Sequence, residues 1–114
     1  MARPEAQARD AYLALIGAVP GVMVYRSEVV IGANFQRSLP DGHPDCVICV
    51  CGTVVLQEWK SARGQLKPAQ VRFHAAWQAA GGTVWVCRDP IETVRRMVPL
   101  ASGDTLAALL RILG

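Results

Sequence analysis

Asp45, Glu58, Lys60 and Gln70 are the residues of this sequence whose types and spacing could do chemistry. Side chains alternate along a strand with period two. In the run Thr53 to Lys60, Val54 and Leu56 therefore share one face with Glu58 and Lys60, while Val55, Gln57 and Trp59 take the other. Two opposite charges continue a line of apolar residues at the strand's end; the simpler expectation there is a frayed, solvated tip. The run Cys46 to Val50 precedes it, and Cys51-Gly52 between them reads as a hairpin turn. With a two-residue loop, paired positions sum to 103 and Asp45 lies directly opposite Glu58. A three-residue loop moves the sum to 104 and leaves the acids diagonal. Cys51 suits positive φ poorly, so both registers stay open. Either one keeps the two carboxylates within reach of a common ion.

Like charges opposed across strands destabilise, and something should compensate. A divalent cation bound by both carboxylates does so, and hard oxygen ligands suit Mg²⁺ or Mn²⁺. Lys60 can offset part of the repulsion, orient a water or stabilise negative charge developing on a phosphate. Two carboxylates, one metal and one lysine make a minimal apparatus for hydrolysing a phosphodiester. Gln70 falls on the stripe Phe73, Trp77 and Ala80 of a predicted helix, so an amide is expected to point toward the sheet near the helix start. A glutamine at an unwound first turn is the plainer reading. His74, beside the same stripe, reads as a packing or backbone-bonded residue with a catalytic role as the alternative, and His43 on the preceding loop as a candidate DNA or phosphate contact.

The elements that must position these residues follow from periodicity and punctuation. Pro4 suits the first turn of a helix that runs to about Gly17, with Tyr12, Leu13 and Ile16 on one stripe. Val22 to Ile31 reads as a long strand, and Gly32 to Pro44 as a loop rich in glycine, proline and polar residues. Beyond the Cys46–Lys60 hairpin, Ser61 to Lys67 is a polar loop. Pro68 opens a helix to about Ala80, closed by Gly81-Gly82. Thr83 to Arg88 is a strand. Asp89-Pro90-Ile91-Glu92 is a strong helix start, and that helix ends before Pro99. A last helix follows Ser102, with Leu106, Leu109, Leu110 and Leu113 on its apolar face. The order α-β-β-β-α-β-α-α predicts an α/β fold, a mixed sheet flanked by helices.

At 114 residues, residues 1–114 form one compact domain with no room for a second core. A chain 52% hydrophobic and 18% charged is too apolar for a disordered tail. The longest mostly apolar stretch, Cys46 to Leu56, is far below the roughly 18–20 residues of a membrane-spanning helix. The N-terminus shows no apolar signal region. Cys46 and Cys49 lie three apart on a strand, on opposite faces, so they cannot share a zinc ion. Together with Cys51 and Cys87 they read as free thiols, which suits the cytoplasm. The formal charge of +3 is mild, but Lys60, Arg63, Lys67 and Arg72 cluster within 13 residues. That cluster is either a solvated basic loop or the footprint of an anionic partner.

Gly42-x-Pro44-Asp45, then Glu58-x-Lys60, then Gly64-x-Leu66-x-Pro68-x-Gln70 resembles the VRR-NUC family, virus-type replication-repair nucleases within the PD-(D/E)xK superfamily. The similarity runs from about residue 42 to 93 and continues through Gly81-Gly82 and the Val84 to Arg88 strand. It implies a restriction-endonuclease-like core and metal-dependent DNA cleavage. Asp45 and Glu58 would hold the metal, Lys60 would assist the attacking water and Gln70 would complete the site. The family usually adds a glutamate on its first helix, for which Glu5 is the candidate and Glu28 the fallback. His43, Arg63, Lys67 and Arg72 would contact DNA. Trp59 stands where an aliphatic residue is usual, but on the opposite face, so packing rather than chemistry should change. The segment Gly32 to Asp41 looks longer than usual. Short stand-alone members of this kind look like phage or bacterial proteins and resemble homodimeric Holliday junction resolvases. The resemblance thus implies a homodimer acting on branched DNA in replication, recombination or repair. The rivals are a non-catalytic DNA-binding subunit on the same fold and an interaction module whose acids merely cap a loop.

Overall fold

The computed structural model describes residues 3–27 and 40–114. They form an α/β fold: a four-stranded mixed sheet with helices on both faces. The strands are β1 (Val22–Arg26), β2 (Cys46–Val50), β3 (Thr53–Trp59) and β4 (Thr83–Cys87); the helices are α1 (Pro4–Ile16), α2 (Pro68–Ala79), α3 (Pro90–Met97) and α4 (Gly103–Leu113). A short 3₁₀ turn, Val98–Leu100, follows α3. The sheet order is β1-β2-β3-β4, antiparallel except for the parallel pair β3–β4. Parallel neighbours need a crossover, and α2 supplies it.

The hairpin takes the two-residue loop. Val50 pairs with Thr53 and Cys46 with Gln57. Cys51 and Gly52 both adopt positive φ, 48° and 91°, which is the type I′ geometry that matches strand twist. Cys51 accepts a backbone conformation that costs an L-residue roughly 1–2 kcal/mol, and the ladder around it compensates.

Alternation then sorts the sheet. One face carries Cys46, Ile48, Val50, Val55 and Trp59, packed against Tyr12 and Ile16 of α1, Val94 and Met97 of α3, and Ala108 and Leu109 of α4. Trp59 meets Tyr12 at 5.1 Å between ring centroids, so the tryptophan does pack on the face away from Glu58. Gln57 is buried there too, donating its amide to the Tyr12 hydroxyl, which in turn donates to the Met97 sulfur. The opposite face carries Val47, Leu56 and Glu58 and is covered in part by α2. Because helices lie on both sides, β3 is buried continuously from Val55 to Trp59.

Three expectations need correction. β1 stops at Arg26, since its partner strand begins at Cys46, opposite Arg26. Ser27 then turns its N–H to the Asp45 carbonyl and its hydroxyl to the Pro44 carbonyl. Residues 28–31 of the expected strand, and 32–39 of the expected loop, lie outside the described residues. On α2 the buried side chain is His74; Phe73 and Trp77 are half-buried and Ala80 is exposed. On α4 Leu110 is exposed while Thr105 and Ala108 face inward, because the Thr105 hydroxyl donates to the Pro20 carbonyl at 2.5 Å. Among the described residues no helix is long and apolar enough to cross a membrane.

Candidate active site

Strand β2 begins where β3 ends, so the residues entering one and leaving the other meet at a single end of the sheet. The register that closes at Cys46–Gln57 puts Asp45 next in line opposite Glu58. The Asp45 carboxylate is fixed there, its Oδ2 accepting the Trp59 N–H at 2.8 Å. Lys60 extends the parallel ladder one step past β3, its N–H donating to the Cys87 carbonyl at 2.9 Å. Alternation then returns its side chain to the Glu58 face.

A cleft of about 460 Å³ opens at this end, lined by Glu5, Arg9, Asp45, Glu58, Lys60, Lys67 and Gln70, with Arg3 at its border. Five of these residues, Glu5, Asp45, Glu58, Lys60 and Gln70, are the set singled out from the sequence. They come from α1, the loop before β2, the end of β3 and the start of α2. Glu58 is 1% exposed, a carboxylate almost wholly removed from bulk water. Gln70 sits at the third position of α2, where its Oε1 accepts the Lys67 N–H at 2.8 Å. It therefore caps the first turn, which is regular helix and not unwound, and also lines the cleft.

The loop carrying Asp45 is pressed against this same first turn. Gly42 has φ +80°, and a Cβ there would collide with the Ala69 carbonyl and come within 2.9 Å of the Gln70 nitrogen. Only glycine lets the two segments approach so closely. The sequence pattern that joins Gly42, Asp45 and Gln70 thus has a direct steric reason.

Two residues beside the expected set need placing: Arg9 lines the cleft, and His74 lies against Glu58. Arg9 is 7% exposed, one helical turn after Glu5 and three residues before Tyr12, with its Nε 3.6 Å from Asp10. The signal was present: a guanidinium on the buried stripe of α1 with Tyr12 and Ile16. His74 lies one turn after Gln70 on α2, with its Nε2 3.5 Å from Glu58 Oε1. Burial, and secondarily the Lys60 charge, push its pKa below the ordinary histidine value. The expectation of a packed histidine holds, since His74 is the buried side chain of α2; its ring nitrogen faces a carboxylate and not the backbone.

The remaining candidates separate. Lys67 lines the cleft; Arg63 and Arg72 are exposed. His43 faces a neighbouring apolar hollow of about 510 Å³, edge-on to Phe73 at 5.3 Å, its Nδ1 donating to the Pro44 carbonyl at 2.9 Å. Glu28 lies outside the described residues. A smaller cavity of about 290 Å³ between β4 and α3 is spoken for structurally. There Arg88 donates to the Ser61 and Gly64 carbonyls, Arg96 to the Val86 carbonyl, and Asp89 caps α3 by accepting the Glu92 N–H.

Among the described residues no three His, Cys, Asp or Glu side chains gather closely enough to hold an ion by themselves. Asp45 and Glu58 remain as a pair, with Glu5 a half-buried acid elsewhere on the wall. Mg²⁺ is commonly bound through one or two carboxylates plus waters and substrate phosphates, so this donor set fits such an ion. It does not suit zinc, whose cysteine ligands are elsewhere: Cys46 and Cys87 are in the core, where burial pushes each thiol up to about 12. No known protein family, no curated protein and no solved structure matches this chain.

Proposed function

We propose that this chain is a metal-dependent endonuclease that hydrolyses DNA phosphodiester bonds, a VRR-NUC-like member of the PD-(D/E)xK superfamily acting in replication, recombination or repair. The single observation that carries the reading is the convergence of Glu5, Asp45, Glu58, Lys60 and Gln70, from four separate stretches of chain, on one polar cleft. A set of loop-capping acids would have no reason to collect a lysine, an arginine and an amide around itself.

Asp45 and Glu58 would hold Mg²⁺ or Mn²⁺. When bound, the cation supplies Lewis-acid polarisation of the phosphate and a lowered pKa for a coordinated water. Lys60 positions the attacking water or screens the charge that develops on the phosphoryl oxygens, and Gln70 orients Lys60 or that water. The water oxygen bonds to phosphorus and gives up one proton to solvent, the P–O bond to the leaving sugar oxygen breaks, and that oxygen takes up a proton from solvent. Arg3, Arg9 and Lys67 grip backbone phosphates, with Arg63 and Arg72 as outlying contacts; none of these reads sequence.

The reading extends to branched DNA and a homodimer. One small site cuts one strand, whereas a four-way junction needs two symmetric cuts. Exposed Met23 and Tyr25 on β1, and separately Leu110 of α4 on the other side of the sheet, are the candidate surfaces for a second copy. A cytoplasmic location, bacterial or in the host of a phage, fits the free thiols.

Cleavage of a labelled four-way junction tests this, with duplex, flap and single-strand substrates of the same sequence alongside and Mg²⁺, Mn²⁺ or EDTA added. Paired symmetric nicks, lost in Lys60→Ala and in EDTA, are expected. Cutting of duplex or flaps alone keeps the nuclease and discards the junction. Binding that falls steeply with salt and cuts nothing makes the chain a DNA-binding subunit instead.

A further inference from the structure

We propose that His74 is a positioning residue for Glu58: its imidazole orients the buried carboxylate and so sets the affinity of the cleft for a divalent cation. This rests on the reading of Asp45 and Glu58 as metal ligands and adds a residue that neither the motif nor the periodicity supplies.

The argument begins with burial. His74 is 8% exposed, and its Nε2 is a buried polar atom with no hydrogen bond among the described residues. Leaving such an atom unsatisfied is costly. A core position that only needed filling would be served better by leucine, as the adjoining Leu56 on the same sheet face shows. What stands opposite the ring is Glu58 Oε1 at 3.5 Å, slightly beyond hydrogen-bond reach. A lone pair on Nε2 would face the oxygen's lone pairs, so the ring must present Nε2–H to this carboxylate. A shift of a few tenths of an ångström closes the gap into an Nε2–H to Oε1 hydrogen bond.

An imidazole N–H on a rigid helix fixes the carboxylate's rotation from the side away from the cleft. Helix α2 delivers it from behind while Gln70, one turn earlier, faces the cleft itself, so one rigid element holds both. Hydrogen bonds that orient a ligating side chain are worth 10- to 100-fold in metal affinity, which sets the expected size of the effect.

The test is Mn²⁺ binding to the full chain by calorimetry, with the thermal midpoint measured without metal. His74→Met and His74→Leu both remove the donor and keep an apolar filling, so the failure of one to fold leaves the other. His74→Gln returns an N–H on a side chain of similar reach. The two apolar variants should bind Mn²⁺ at least tenfold more weakly with an unchanged or higher metal-free midpoint, and His74→Gln should recover affinity to within threefold. The Mn²⁺ concentration for half-maximal cleavage should rise in parallel, while the rate at saturating Mn²⁺ falls less than threefold. Wild-type affinity in a folded His74→Met or His74→Leu overturns the role of His74 and leaves the metal site standing. Failure of the unaltered chain to bind Mn²⁺ more tightly than Asp45→Asn overturns both.

Discussion

Asp45 has two jobs in this structure, and two substitutions pull them apart. Its Oδ2 accepts the Trp59 N–H at 2.8 Å, which closes the end of β3, and its charge stands in register with Glu58. Asp45→Asn keeps an acceptor for the Trp59 N–H and removes the charge. Weakening a charge-assisted bond to a neutral one costs on the order of 1 kcal/mol, and relief of the opposed carboxylates returns roughly 0.2–1 kcal/mol. The net change in stability should be near zero, within about 1 kcal/mol. Asp45→Ala removes the acceptor and leaves the Trp59 N–H without its partner, a loss of roughly 1–3 kcal/mol. For a chain of this size that is a fall in Tm of very roughly 4–12 °C. Both variants should lose tight Mn²⁺ binding and at least about 10²-fold in cleavage, some 2.7 kcal/mol or more of transition-state stabilisation. Urea unfolding, Mn²⁺ calorimetry and junction cleavage on the three proteins complete the experiment. The reasoning fails if Asp45→Asn binds Mn²⁺ within threefold of the unaltered chain. Asp45 would then be a cap for a strand end and nothing more.

Two further outcomes follow from the packing. Gly42→Ala should cost roughly 2–4 kcal/mol in urea unfolding, from strain at positive φ and the collision with the start of α2, and should impair cleavage further by separating Asp45 from Gln70. Gly52→Asn on the open hairpin turn, where a Cβ meets nothing within 4 Å, is the control and should cost less than about 1 kcal/mol. Alkaline conditions should destabilise the fold through its buried thiols. The Cys87 thiol is raised from 9.0 to about 12 by burial, so its contribution is complete below pH 9 and is lost as pH rises from 9 toward 12. At pH 10 the loss from Cys87 alone is on the order of 1 kcal/mol. Exposed Cys51, whose pKa is lowered by a hydrogen bond from Thr105, should react first with iodoacetamide, and Cys46 and Cys87 last. Mass spectrometry of the labelled peptides gives the order; early labelling of Cys87 would contradict its burial.

Period two along β3 was enough to separate Glu58 and Lys60 from Gln57 and Trp59, because helices on both faces make every alternation count. The proline-led helix starts and the hairpin were likewise legible, since each depends on local geometry: Pro68 and Pro90 at first turns, Asp89 as a cap, Cys51-Gly52 at the tip. The rotation of α2 was not legible. Phe73 and Trp77 look like core on a hydrophobicity scale, yet they border an open hollow, and the position that turns fully inward is a histidine opposite a carboxylate. Apolar periodicity cannot register a polar group that is buried because it faces another polar group. The same blindness hid Arg9 on the Tyr12 stripe of α1. On α4, Leu110 yielded to Thr105, whose inward turn is set by the Pro20 carbonyl, 85 residues away in sequence. No local pattern carries a contact of that separation.

The placement of the cleft follows from how β3 is paired. β3 is antiparallel to β2 and parallel to β4, so it is the one strand whose end adjoins both a strand beginning and a strand ending. From β2's beginning comes Asp45; from β3's own end come Glu58 and Lys60. The parallel pairing forces a crossover, and its helix must start near that same end, which brings the first turn of α2 with Lys67 and Gln70. The unpaired N–H groups of a helix's first turn and its dipole favour an anion, so this corner offers a phosphate a polar, cationic wall opposite two carboxylates. The close approach at Gly42 then locks the β2 side to the helix side. A sheet wired in this order concentrates both signs of charge at one corner, and moving any of these residues by one position along its strand would turn it into the core.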